Sequence, residues 1–97
     1  MAMHNPPHPG EFIQYTYLEP FNISGRYLAE KLNVAASTLN RVLKGKSAIS
    51  PGMALRLSKA IGRSPESWLA MQDVYDLWVA KKRVKLSKVS KLDLHAA

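Results

Sequence analysis

The stretch SGRYLAEKLNVAASTLNRVLK, residues 24–44, decides the fold of this chain. It has the spacing of two short helices joined by a tight turn, which is the helix-turn-helix pattern. Ser24 is a suitable N-cap for the first helix, and Leu28 and Leu32 lie on one apolar stripe along it. Asn33 falls at the turn, where asparagine is one of the few residues other than glycine that tolerates a positive φ.

The second helix of the pair has two distinct faces. Leu39, Val42 and Leu43 recur at helical spacing and are predicted to be buried. The residues left on the outside are Ser37, Thr38, Asn40, Arg41 and Lys44. Short polar side chains with one arginine and one lysine suit the reading of base edges and the binding of phosphates, so this face points to DNA. The alternative is an ordinary small helical bundle with a solvated polar face.

The distribution of charge favours the interpretation as a DNA-binding protein. The first forty residues carry two basic and three acidic residues. From residue 41 to residue 63 there are six basic residues and no acidic one, namely Arg41, Lys44, Lys46, Arg56, Lys59 and Arg63. A basic block that begins inside the second helix is expected for a surface that faces phosphates.

The composition bounds the class of protein. A chain of 97 residues suffices for one domain with a single core, and a net charge of +7 favours a polyanionic partner or an acidic membrane surface. No cysteine is present, which fits a reducing cytosol. The opening MAMHNPPHPGEF has neither the basic nor the apolar segment of a secretory signal, and every apolar run is too short to span a membrane. We therefore predict a cytoplasmic protein with no membrane partner.

Proline, glycine and serine divide the chain into five helices. Ser50-Pro51 and Ser64-Pro65 each combine an N-cap with a proline at the first helical position, and Gly45 is a suitable residue just after the second helix of the pair. The expected helices are residues 9–18, the two helices of residues 24–44, residues 51–61 and residues 65–82. Five helices with short connections predict a compact all-α domain.

The predicted organisation is a flexible leader over residues 1–8, a helix-turn-helix domain over residues 9–82 and a basic tail over residues 83–97. Lysines and apolar residues are interspersed along the tail. We expect a solvated extension there. The alternatives are that its apolar residues dock on the domain or on a second copy, or that it acts as a basic arm on DNA.

The fifth helix carries more apolar surface than one core contact needs. Trp68, early in the helix, is expected to close the core. The later half is predicted to form the interface of a homodimer through Tyr75 and Trp78, with Leu77 as the second choice if the helix is rotated. DNA-binding proteins of this type commonly pair to match a two-fold site. The alternative is that the whole helix simply closes the core.

The residues that catalysis requires are missing from the sequence. His4, His8 and His95 lie near the two ends without metal-ligand spacing, and Asp73 and Asp76 are more typical of solvated charges than of an acid–base pair. There is no glycine-rich phosphate loop. We predict that the protein is not an enzyme and has no catalytic residues, no metal, no cofactor and no small-molecule substrate.

Residues 8–80 contain a series of more specific motifs. In order along the chain they are HPGEF, LEP, LAEKLNV, LKGKSAIS, MALRLSKAIGRSPESWL and MQDVYDLW. In these motifs the chain resembles HigA-type antitoxins, small helix-turn-helix proteins grouped with the Xre-type phage repressors. Two departures are visible: WLAMQ stands where the family often has WLNLQ, and Asn33 stands where the turn usually has glycine.

The resemblance implies a compact five-helix lambda-repressor-like domain with a short C-terminal extension. It implies a dimer that binds double-stranded operator DNA, represses its own operon and neutralises a HigB-like toxin, a small ribosome-dependent mRNA endonuclease. The implied recognition-helix positions are Ala36, Ser37, Thr38, Asn40 and Arg41. The implied backbone-contacting loop contains Lys44, Lys46 and Ser47.

Two other functions compete with this one. The chain could be a solitary Xre-type transcriptional repressor that has no toxin partner. It could also be a protein-interaction module whose basic face is incidental. An adjacent reading frame for a small basic protein would separate the antitoxin from the solitary repressor, and a salt-dependent gel shift would separate both from the third function.

Overall fold

The computed structural model describes residues 5–95, and over this span the chain forms five α-helices and no β-strand. The predicted all-α fold is confirmed, with each helix in its expected place. The helices are α1, Pro9–Ile13, which continues as a π-helical turn, Gln14–Leu18; α2, Gly25–Leu32; α3, Ala36–Leu43; α4, Pro51–Ala60; and α5, Pro65–Arg83. Helix α4 is slightly shorter and α5 slightly longer than the sequence predicted.

Serine N-caps begin three of the helices, as the sequence predicted. Ser24, Ser50 and Ser64 each accept, through Oγ, the backbone amide three residues later over 3.0–3.1 Å. Pro51 and Pro65 occupy the first helical position in α4 and α5, where a missing N–H is tolerated. Because each cap satisfies an amide that the helix itself cannot, each stabilises the domain by roughly 1 kcal/mol.

The first helix departs from the prediction in its second half. Pro9–Ile13 is α-helical, whereas Gln14–Leu18 is π-helical, and the Glu19 amide donates to the Gln14 carbonyl over 2.9 Å. Leu18, at the end of this turn, is buried in the core. The sequence predicted one regular helix over residues 9–18, because π-helical turns are rare.

The boundary between leader and domain needs correction. Residues 1–4 lie outside the described part of the chain, but Pro6 and His8 are buried. His8 is the N-cap of α1, and its Nδ1 accepts the Gly10 amide over 2.9 Å. The packed domain therefore begins before residue 9. Histidine is not among the usual N-cap residues, so this contact was not predictable from residue preference.

A single apolar cluster forms the core. Its buried members are Ile13, Leu18, Leu28, Ala29, Leu32, Leu39, Val42, Ile49, Met53, Ala54, Leu57 and Trp68. Trp68 is fully buried, and its Nε1 donates to the Gly62 carbonyl over 3.0 Å. Phe12 meets its ring edge-on, with the ring centroids 6.1 Å apart. The expectation that Trp68 closes the core is confirmed.

Helices α1 and α3 approach each other closely at Gly10. A Cβ atom added to this residue would lie 1.8 Å from the Val42 carbonyl oxygen and 2.8 Å from the Leu43 Cα. Those atoms belong to the backbone and cannot move aside as a flexible side chain can, so only glycine fits. Helix α1 thereby fixes the buried side of α3, and with it the direction of the exposed side.

Candidate nucleic-acid interface

Helix α3 has the two faces that its sequence predicted. Leu39 and Val42 are buried at 0% and 3% exposure, and Leu43 is partly buried. The exposed residues on its other side are Ala36, Ser37, Thr38, Asn40 and Arg41. Small and polar side chains followed by an arginine offer donors and acceptors without bulk, as a helix needs in the major groove of DNA.

An arginine of α4 holds the turn that joins α2 to α3. Asn33 has φ 58° and ψ 47°, the left-handed conformation that its position predicted. Arg56 Nη1 donates to the carbonyl oxygens of Leu32 and Asn33 over 2.7 and 3.1 Å. Carbonyl oxygens at the end of a helix have no hydrogen-bond partner within the helix and carry partial negative charge. The Arg56 guanidinium supplies both the hydrogen-bond donor and a positive charge. Arg56 therefore helps to set the angle between α2 and α3.

This contact corrects the predicted basic block. Arg56 is engaged with the end of α2, and the Arg63 guanidinium lies over two aromatic rings of the domain, 5.3 and 5.6 Å from their centroids. The basic residues that belong to α3 and the loop after it are Arg41, Lys44 and Lys46. Consecutive charges in the sequence thus divide between internal contacts and the exposed face of α3.

The loop after α3 folds back onto the end of that helix. The amides of Lys46 and Ser47 both donate to the Arg41 carbonyl, over 2.8 and 3.2 Å. Arg41 Nε in turn donates to Ser47 Oγ over 3.3 Å. Gly45 permits the reversal with φ 75°, as its place after the helix predicted. Lys44 and Lys46 are exposed on either side of it.

Helix α3 begins without a side-chain cap, a feature that was not predicted from the sequence. Its N-cap residue is Ala35, which has no side-chain acceptor, whereas serines cap α2, α4 and α5. The first amides of α3 carry the positive partial charge of a helix N-terminus, which an anion such as a DNA phosphate can satisfy. The signal was present in the sequence, because Ala35 interrupts the series of serine caps.

A buried glutamine of α5, which was also not predicted from the sequence, fixes the far end of the loop after α3. Gln72 is 4% exposed; its Oε1 accepts the Ile49 amide and its Nε2 donates to Asp76 Oδ1, each over 2.9 Å. Asp76 is exposed, as expected of a solvated charge, but it also orients Gln72. The loop beside α3 is therefore attached to α5.

His8 packs against the same region. Its ring meets Tyr75 edge-on, with the ring centroids 5.0 Å apart. Burial lowers the pKa of His8 below its ordinary value of 6.5, and the charge of Asp76, a hydrogen bond with the Ser47 backbone and the charge of Glu11 oppose this shift. Near pH 7 the folded protein therefore holds a neutral imidazole, whose Nδ1 is free to accept the capping hydrogen bond.

We expect the stability of the domain to depend on pH through His8. The His8 ring takes up a proton at a higher pH in the unfolded chain than in the folded one. The contribution of His8 to the free energy of unfolding is therefore fully present above pH 6.5 and is lost as the pH falls through the lowered pKa. His8→Asn keeps a capping oxygen without a titrating ring and should lose this decrease between about pH 7 and pH 5. Thermal unfolding followed by circular dichroism measures it, and equal decreases in both proteins would refute the assignment.

Among residues 5–95, no group of three or more His, Cys, Asp or Glu side chains is placed to hold a metal ion. His4 lies outside the described residues, and His95 is exposed beside Asp93, with Nδ1 2.7 Å from the carboxylate.

The helices within residues 5–95 include none with the length and apolarity to cross a membrane.

The three residues predicted for a dimer interface lie in the later half of α5. Leu77 is 59% exposed, and Val74, one turn earlier, is 46% exposed. Tyr75 and Trp78 are partly buried within the chain, and Lys82 Nζ lies 3.6 Å from the Trp78 ring centroid. Leu77, the second choice from the sequence, is thus the most exposed of the three.

The fold and the exposed outer face of α3 define a helix-turn-helix protein. The sequence family described as helix-turn-helix matches residues 15–68, and the chain belongs to that family. It is 42% identical over 92 residues to YddM, an uncharacterized HTH-type transcriptional regulator of Escherichia coli strain K12, and the match covers 95% of this chain and 97% of that protein.

Solved structures extend the comparison to antitoxins. The chain is similar to antitoxin GraA with a TM-score of 0.87 and 33% identity, over 93% of this chain and 100% of that one. It is also similar to antitoxin HigA of Pseudomonas aeruginosa, solved with the higBA promoter, with a TM-score of 0.76 and 36% identity over 79% and 84% of the two chains. The resemblance to HigA-type antitoxins is confirmed.

Proposed function

We propose that this protein is the antitoxin of a type II toxin–antitoxin system, and that it binds operator DNA as a dimer and represses its own operon. The proposal includes neutralisation of a HigB-like mRNA endonuclease by protein contact. The DNA-binding part of this proposal is supported by the exposed outer face of α3, where small polar residues, an arginine and an uncapped helix start lie together. The protein acts by binding rather than by catalysis, and it acts in the cytoplasm.

The proposed DNA contacts divide into two groups. The side chains directed at the bases are Ala36, Ser37, Thr38, Asn40 and Arg41. Those directed at the sugar-phosphate backbone are Lys44, Lys46 and Ser47. Ser47 has a second role, since its Oγ accepts from Arg41 Nε and leaves the terminal nitrogens of the guanidinium to face a base.

Replacing Lys46 with glutamine should weaken binding to every DNA sequence alike and lower the slope of log K against log salt by ~1, because one phosphate contact is lost. Lys59→Gln is the matched control, because Lys59 belongs to α4. The salt slope of the Lys59→Gln protein should stay near that of the wild type. Titrations at several salt concentrations measure both slopes. An unchanged slope for Lys46→Gln would make Lys46 an ordinary solvated charge.

A homodimer follows from the geometry that DNA imposes. Two recognition helices must lie roughly 34 Å apart to enter successive major grooves on one side of the duplex, and one short helix alone binds weakly. We propose that the pairing uses the later half of α5, where Leu77 is exposed next to Tyr75 and Trp78. Aromatic residues commonly anchor such interfaces.

Leu77→Ser and Trp78→Ala should each shift the protein toward monomer and weaken operator binding while helical content stays largely intact. Leu55→Ser is the matched control, because Leu55 is similarly exposed at 62% but lies on α4. Sedimentation and circular dichroism on the same samples distinguish the outcomes. If both α5 variants stay dimeric, the interface lies elsewhere; if Trp78→Ala unfolds, Trp78 belongs to the domain core.

A solitary repressor without a toxin is the second candidate. The similarity to a transcriptional regulator over almost the whole of both chains favours it. Co-expression with the protein of the adjacent reading frame separates the two functions. An antitoxin restores growth and co-purifies with that protein, whereas a solitary repressor does neither.

A further inference from the structure

An open apolar groove lies away from both α3 and α5. It has a volume of about 840 Å³, and its lining residues come from the end of the π-helical turn, the loop that follows, α2 and the turn after it, and α4 with the residue after it. None of the lining residues belongs to the face proposed to bind DNA or to the helix proposed to form the dimer. The groove is therefore a third surface, built from residues that the other two do not use.

The groove exposes large apolar side chains next to one another. Phe21, Tyr27 and Leu55 line it and are 67%, 50% and 62% exposed. Leu28 and Leu32, from the core, form its base. Single exposed apolar residues are ordinary on protein surfaces, but a contiguous set around a concave surface marks a binding site.

The charges around the groove have one sign. Its charged lining residues are Lys31, Arg56 and Lys59, and no acidic residue of the described chain lines it. Lys31 Nζ lies 5.2 Å from the Tyr27 ring centroid, so a cation stands directly over one aromatic side of the groove. Electrostatic complementarity then requires an occupant that carries carboxylates beside its apolar surface.

We propose that this groove binds one amphipathic helix of a partner protein, with apolar residues on its inner side and carboxylates along its flanks. A helix laid in an apolar groove is a common mode of recognition and uses anchors at i, i+3 or i+4, and i+7. Duplex DNA exposes phosphates and base edges rather than a continuous apolar face. The protein's own tail carries Lys85, Lys88 and Lys91, which have the same sign as the groove. The identity of the partner as the toxin rests on the function proposed above, and it requires that a small, basic toxin present one helix whose flanks carry carboxylates.

A helical peptide tests the groove independently of any toxin. The probe has about 18 residues, or five turns, with leucines at the anchor spacing and glutamates on the flanks. The control peptide keeps the leucines and has lysines in place of the glutamates. Titrated into the ¹⁵N-labelled full chain, the glutamate peptide should shift the amide signals of Tyr27, Leu55 and Lys59 and bind at least roughly tenfold more tightly than the lysine peptide. Equal binding of the two peptides, or shifts confined to other surfaces, would overturn the proposal.

Two matched variants test whether the groove binds the partner protein. Leu55→Glu puts a carboxylate into the groove, and Leu86→Glu makes the same change in the tail, at 62% and 66% exposed positions respectively. Only Leu55→Glu should lose co-purification with the protein of the adjacent reading frame, while both variants keep operator binding. If Leu55→Glu co-purifies like the wild type, the groove does not bind the toxin. If the wild type itself fails to co-purify, the antitoxin function fails, and the peptide titration still decides whether the groove binds an acidic helix.

Discussion

Gly10→Ala is expected to destabilise the domain by about 3 kcal/mol, the upper part of the range for overpacked sites. The added methyl carbon would lie 1.8 Å from the Val42 carbonyl oxygen, so α1 and α3 must separate. For a domain of this size the melting temperature should fall by more than about 10 °C. Operator binding should weaken even where the variant is folded, because α1 sets the position of α3.

Gly52→Ala is the matched control for this substitution. A Cβ atom at Gly52 would meet only Ser50 Oγ, at 3.9 Å, and the residue lies in the first turn of α4. Alanine at such a helical position is neutral or stabilises by roughly 0.4–1 kcal/mol. Thermal and urea unfolding of the two variants measure the difference in their free energies of unfolding. A Gly10→Ala protein as stable as Gly52→Ala would mean that α1 and α3 are not held in close backbone contact.

Arg41→Ala is expected to cost ~1–3 kcal/mol of operator binding and to relax the preference at one base pair, as for an arginine that makes a bidentate contact with guanine. The structure gives the arginine support for this role, since Ser47 Oγ accepts from its Nε. Ser47→Ala should weaken binding in the same direction by a smaller amount, because the guanidinium would then be less well oriented.

The control for Arg41→Ala removes a positive charge elsewhere. Arg83 is exposed at the end of α5, so Arg83→Ala lowers the net charge equally without touching α3. Competition binding against a set of single-base operator variants measures the selectivity of each protein. If Arg41→Ala binds its operator as selectively as the wild type and Arg83→Ala do, Arg41 does not read a base.

Features that depend on neighbouring residues in the sequence could be predicted well. Ser24 caps α2, Asn33 adopts the left-handed conformation and Gly45 reverses the chain after α3. Each of these depends on the conformational preference of one residue and on hydrogen bonds to residues a few positions away. The exposed face of α3 was predictable for the same reason, since helical periodicity alone separates it from Leu39 and Val42.

Features that depend on distant partners could not be predicted. Arg56 was predicted to face outward and Gln72 had no predicted role, yet Arg56 binds carbonyls 23 and 24 residues away and Gln72 binds an amide 23 residues away. The basic block was misjudged for this reason, because consecutive charges need not share a surface once helices turn and pack. His8 is a similar case: its role as a cap and its contact with Tyr75 require α1 and α5 to be in place.

Nuclease protection of the DNA upstream of the gene tests most directly whether the outer face of α3 reads an operator. Wild-type protein at about 0.15 M salt should protect one segment with two related half-sites about 10 base pairs apart, centre to centre, or a multiple of that distance. Arg41→Ala should lose this selective protection at the same concentration. Uniform weak protection along the upstream DNA, or equal protection by wild type and Arg41→Ala, would contradict recognition of an operator by α3.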